Sequence, residues 1–211
     1  MKDIYNDYRN EINKKRLILV IIFSIFVIGL LFGSIYVTIL SNDQKKEILN
    51  TVHNYFTSFN KIDLSSKFLI FKNSLTKNLV FFISIWLLGI SIIGIPIILI
   101  MIFFKSFITG FSIAGIFAKY KIPGILGIII YLFPSNILSL ALSMFLGAYS
   151  LNLSIKLVRH AFGKKTINFG LFMGKYLFLL FMCILCSIFC ALFDAFLSPF
   201  LYKLFSNLLK W

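Results

Sequence analysis

The chain predicts an all-α, polytopic membrane protein, and three observations carry that reading. Of its 211 residues 60% are hydrophobic and only 13% charged, against ~25% charged in a soluble domain. Mean hydropathy is +0.96. Residues 79–118 form an apolar stretch with one charge, Lys105, long enough for two spans of ~20 residues. The simplest reading is two helices back to back, 79–104 and 106–123, turning at Lys105. About five spans and a single domain over 1–211 follow from the elements in order.

Residues 1–16 are polar, and Ile4, Tyr8 and Ile12 recur at helical spacing, which predicts a short cytoplasmic helix on the membrane surface. Residues 17–40 are too long for the core of a cleaved leader and lack a small-residue cleavage site, so they read as the first span. Lys14, Lys15 and Arg16 just before it place the N-terminus in the cytoplasm. Gly29 and Gly33 form a GxxxG close-packing face.

Residues 41–78 are the one long polar segment, extracytoplasmic on this topology. Ser41 and Gln44 fit a capping box. Two amphipathic helices joined near Asn60 are expected, one striped by Val52, Tyr55, Phe56 and Phe59, the other by Phe68 and Phe71. Those aromatics either lie on the leaflet and the helix bundle or form a docking surface for another protein. The pattern leaves both readings open.

Gly94 and Pro96 are expected to kink span 79–104. Pro134 breaks the next run into a short helix, 124–133, and a span, 135–155, with Asn136 capping the restart. Residues 156–175 hold Lys156, Arg159, Lys164, Lys165 and Lys175 and no acid, so they read as a cytoplasmic loop. The last span is 176–198, stopped by Pro199, with an extracytoplasmic tail, 199–211. Small-residue ladders at four-residue spacing mark close packing: Ser106/Gly110/Ala114/Ala118, Ser135/Ser139/Ser143/Gly147 and Cys183/Ser187/Ala191/Ala195.

The chemistry is sparse. The two histidines, His53 and His160, fall on opposite sides of the membrane, so neither a metal site nor a cofactor is expected. Cys183, Cys186 and Cys190 have no histidine or acid within catalytic spacing and read as small core residues. No enzyme is expected. The net charge of +14 flanks apolar segments, which points to lipid headgroups and not nucleic acid. Three polar residues in apolar surroundings stand out because such groups are costly there. Lys105 is read as a turn residue near the inner headgroups and Asn136 as a helix cap. Asp194 is read as a partner of Lys119 or Lys121.

The run 86–96, Trp-Leu-Leu-Gly-Ile-Ser-Ile-Ile-Gly-Ile-Pro, resembles the second span of the stage II sporulation protein M family. So do 132–138, Leu-Phe-Pro-Ser-Asn-Ile-Leu, and 193–199, Phe-Asp-Ala-Phe-Leu-Ser-Pro. The resemblance covers nearly the whole chain. It departs at Ser135, where the family commonly has an amide, and at Asp194, where it commonly has Glu; both keep a polar group. The Lys- and Ile-rich composition fits a clostridial spore former.

The resemblance implies a non-catalytic scaffold in the engulfing mother-cell membrane and the sporulation septum. Its partners would be two peptidoglycan hydrolases, the amidase stage II sporulation protein P and the lytic transglycosylase stage II sporulation protein D. It carries no ligand residues over. A homo-oligomer is compatible with it. The rival reading is a small-solute transporter or permease subunit, motivated by the broken helix at Pro134 and the Gly94–Pro96 pattern.

Overall fold

A backbone crossing hydrocarbon has no water to bond, so apolar segments of this length close their hydrogen bonds as helices. The computed structural model describes residues 2–58, 64–161 and 169–208. Among these the chain forms seven helices and no strand: α1 (Lys2–Ile39), α2 (Asn42–Ser58), α3 (Leu64–Gly89), α4 (Gly94–Tyr120), α5 (Gly124–Leu132), α6 (Ser135–Ala161) and α7 (Phe169–Leu208). Five segments are long and apolar enough to span: Asn13–Ile39, Ser66–Gly89, Gly94–Tyr120, Ser135–Arg159 and Met173–Leu208. The protein is a multi-pass, all-α membrane protein, as the composition requires. One end of the bundle carries Arg16, Lys156, Arg159 and Lys175 beside the turn from α3 to α4 and is termed the basic end, although lysines stand at both ends; α2 caps the other.

Four expected boundaries are corrected. Residues 2–16 are continuous with the first span and not a separate surface helix. Nothing between Ile12 and Leu17 breaks a helix, since Lys and Arg are good helix formers. The expected second amphipathic helix is the beginning of α3, so that span runs over Ser66–Gly89 and not 79–104. The joint near Asn60, with Phe59, lies outside the described residues.

The third correction moves the turn of the long apolar run from Lys105 to residues 90–93. Backbone bonds from Ile90 to Leu87, Ser91 to Leu88 and Gly94 to Ser91 (3.0–3.2 Å) close it. Gly94 is indispensable there, because a Cβ would run into the Leu88 carbonyl. Pro96 is the third residue of α4, where its missing N–H costs no helical bond. Gly94 and Pro96 therefore begin a helix instead of kinking one. Lys105, 11 residues on, sits in mid-helix.

Fourth, Pro199 does not stop α7, which continues to Leu208. A helix-interior proline costs ~3 kcal/mol. Beyond it Tyr202 and Phe205 are buried at 4% and 2% exposure, and burying two such aromatics returns at least ~3 kcal/mol. The break at Pro134 does occur. The Phe133–Pro134 bond is cis, α5 ends at Leu132, and the Asn136 amide donates to the Tyr131 carbonyl across the gap (2.6 Å).

The tightest helix pair is α1 against α4. A Cβ at Gly29 would lie 2.7 Å from the Phe103 carbonyl oxygen, and one at Gly33 would meet the Phe107 carbonyl. From the other side Gly110 backs onto the Leu30 carbonyl, and the Ser34 hydroxyl donates to the Gly110 carbonyl (3.2 Å). The GxxxG face of α1 and the Ser106/Gly110 ladder of α4 are thus partners for each other. Small residues let the backbones touch, and dispersion does the rest in lipid. At the basic end Tyr176 is fully buried, stacks on Trp86 (5.5 Å), and donates to the Trp86 carbonyl (2.8 Å). Ser154 donates to the Gly89 carbonyl (2.9 Å), which ties the α3 terminus to α6.

Candidate functional site

At membrane depth α3, α4, α6 and α7 enclose a polar cavity of about 110 Å³. Each helix contributes from the face its serine or asparagine spacing defines: Ser74 and Asn78 from α3, Ser135 and Ser139 from α6, both pairs four residues apart and so on one helical face. Lys105 comes from α4 and Asp194 from α7, and all of these line the cavity with Asn136, with Lys77 of α3 and with Tyr131 of α5.

The two charges are each held by hydroxyls. The Lys105 ammonium donates to the Ser139 hydroxyl (2.7 Å) and more weakly to the Ser139 carbonyl (3.3 Å). It also lies 4.0 Å from the Phe81 ring centroid and 4.9 Å from that of Phe82, where ring faces attract a desolvated cation. Ser139 in turn donates to the Asn78 side-chain carbonyl (2.8 Å). Asp194 accepts from Ser74 (2.6 Å) and Ser135 (2.5 Å), with Ser198 at 3.5 Å. These bonds offset part of what it costs to bring either charge into the bilayer.

The reading of Lys105 as a turn residue is therefore corrected: the ammonium finds partners inside the bundle and has no need of headgroups. The expected pairing of Asp194 with Lys119 or Lys121 is corrected too. Its carboxylate takes hydroxyl donors from α3 and α6 that lie closer than any lysine. The structure thus brings Lys105, Asn136 and Asp194 to one cavity. Sequence reasoning missed Ser74, Asn78 and Ser139 as their partners. The signal was present in the α6 ladder, whose outer members bond these charges while Gly147 at its inner end packs on Ile102.

Lys105, Ser139 and Asn78 form one hydrogen-bonded chain, Lys105 donating to Ser139 and Ser139 to Asn78. Of the cysteines, Cys183 and Cys190 are buried and Cys186 is half-buried, and the Cys190 thiol donates to the Ser135 carbonyl (3.7 Å). Among the described residues no group of His, Cys, Asp or Glu is placed to hold a metal.

The residues read as a docking surface divide. Phe56 is buried at 1% exposure. It packs edge-on to Tyr202 (5.3 Å) and Tyr120 (5.7 Å) and tilted on Phe205 (5.0 Å), and Val52 joins the same cluster. These two are corrected: they fasten α2 to the bundle and are not free for a partner. Phe71 is half-buried, whereas Tyr55 and Phe68 are exposed. What α2 turns outward is polar, with Glu47, Asn50, Thr51, Asn54 and Ser58 forming an exposed stripe at helical spacing.

Five spans, four of them lining a charged cavity, with a helix clamped over one end, define the class: a multi-pass membrane protein with a small extramembrane platform. Its sequence matches the family described as stage II sporulation protein M over residues 22–199. The chain belongs to that family and is a sporulation-related membrane protein. The family is not known for catalysis. No curated protein and no solved structure gives a significant match.

Proposed function

We propose that the chain is a non-catalytic membrane scaffold. It recruits the septal amidase and lytic transglycosylase, stage II sporulation proteins P and D, during forespore engulfment. The observation that carries the reading is α2. It is locked to α4 and α7 through Phe56 and presents a polar stripe, Glu47 to Ser58, outside the spans. A rigid element with an unused polar face is how a tether holds partners in register. The charges Lys14, Lys15, Arg16, Lys156 and Arg159 favour a cytoplasmic basic end; on that topology α2 would lie on the side where wall hydrolases act.

A tagged chain purified in mild detergent from sporulating cells tests this. Both hydrolases are expected to co-purify and to be lost in Glu47→Lys/Asn50→Lys/Asn54→Lys. Recovery unchanged by those substitutions moves docking to the membrane helices. A second reading has one observation in its favour: the cavity collects Lys105, Asn136 and Asp194 at membrane depth, where transporters place binding groups. Co-purification of an ATPase with neither hydrolase would make that reading the better one.

A further inference from the structure

The spans differ in what they show to lipid, and α3 is the anomaly. Its window Ser66–Gly89 has the lowest mean hydropathy of the five, 1.3, and is also the least covered by protein, with 11% buried. A helix with that little cover is expected to be the most apolar. Its exposed stripe shows why it is not. Toward the α2 end the exposed residues are Lys72, Asn73, Thr76 and Lys77; toward the basic end they are Val80, Ile83 and Leu87. Gly89 lies beside Ser154, two residues before Lys156, so it marks the basic-end interface. Lys77 is 12 residues back, ~18 Å, and Lys72 ~26 Å, both within a ~30 Å hydrocarbon core. Lys72 reaches the interface by extending its stem, but Lys77 lies too deep for that alone. No Asp or Glu stands on α3; Lys77 is exposed but also borders the cavity that holds Lys105 and Asp194, where the Asp194 carboxylate is engaged by Ser74 and Ser135.

We propose that this face binds an anionic phospholipid of the leaflet on the α2 side. Its phosphate lies between Lys72 and Lys77 with Asn73 and Thr76 as further polar contacts, and an acyl chain runs along Val80, Ile83 and Leu87. Charge selects this occupant over a second copy of the chain, which carries +14 overall and would bring lysine against lysine. The head-then-tail order along one stripe matches a lipid. The bound headgroup sits below the mean headgroup plane, so the leaflet thins beside α3.

The test uses full-length protein in dodecyl maltoside, titrated with dioleoylphosphatidylglycerol or dioleoylphosphatidylcholine, with bound lipid counted by native mass spectrometry. Phosphatidylglycerol is expected to be retained in preference to phosphatidylcholine. Each lysine near an anionic headgroup accounts for about fivefold in affinity, so Lys72→Gln/Lys77→Gln is expected to weaken retention by about 25-fold. Lys72→Arg/Lys77→Arg keeps it, which separates loss of the site from loss of the fold. Lys119→Gln/Lys121→Gln, an equal charge change at the same end, keeps it as well. Equal retention of the two lipids overturns the proposal, as does an equal loss in the Lys119/Lys121 control. Displacement by glycerol phosphate, which has the anion and no chains, overturns it too. So does an acidic protein that co-purifies through Lys77 while lipid binding is unchanged.

Discussion

Asp194 and Lys105 illustrate how a buried charge is tolerated residue by residue. Asp194→Ala leaves the Ser74 and Ser135 hydroxyls without an acceptor and is expected to cost ~1–3 kcal/mol, read as a lower thermal midpoint in detergent. Asp194→Asn keeps one carbonyl acceptor and costs less. Lys105→Met behaves differently, because a thioether chain of similar length fills the space without a charge to desolvate. Stability is expected to be unchanged or raised by ~1 kcal/mol or more. If scaffold or transport activity falls in that variant while the midpoint holds, the charge serves function and not folding. Lys121 is a third case. It is the one non-glycine residue among those described with positive φ (52°), in the turn from α4 to α5, a backbone state that costs a side chain ~1–3 kcal/mol. Lys121→Gly is expected to raise the thermal midpoint. Lys105 and Asp194 were legible as residues needing an explanation, since charges in apolar runs are rare. Their partners were not, because a serine reads the same whether it packs or donates, and three-dimensional register decides which.

Helix α2 shows what an element's amphipathic stripe does and does not say. The stripe predicted a helix with one buried face, and the Ser41–Gln44 capping box closes at its start (3.2 and 3.4 Å). What covers that face was not in the local pattern, because Tyr202 and Phe205 lie beyond a proline that ordinarily ends a helix. Phe56→Ala should cost ~3–5 kcal/mol and release α2, detected as faster amide exchange over 42–58 with the spans unchanged. On the scaffold reading, both hydrolases are then expected to be lost from the purified sample even though no outward residue has changed. The turn at residues 90–93 is a related lesson. An unbroken apolar run gives its number of spans by length alone, but its turning point depends on where the preceding helix begins. Here α3 begins in the polar segment, about 15 residues earlier than hydropathy marks it.

For the whole molecule, five spans place α2 and the α3–α4 turn on opposite sides. With native cysteines replaced, Thr51→Cys is expected to react with a membrane-impermeant maleimide in intact cells and Ser91→Cys only after permeabilisation. The reverse pattern would invert the assigned topology and remove α2 from the wall side. Span number and the two small-residue faces of α1 and α4 were legible because they follow from composition and spacing, but that these faces meet each other was not. The charged cavity was not, since it joins residues from four helices separated by up to 120 positions.

Helix α7 has 40 residues, ~60 Å of unbroken rod and about twice the hydrocarbon thickness. One end lies among the basic residues, and the other, through Tyr202 and Phe205, is seated under α2. Such a rod ties the helix under α2 to the opposite end of the bundle, with Asp194, five residues before Pro199, fastening it to α3 and α6 on the way. On the scaffold reading, a load on α2 would reach both ends.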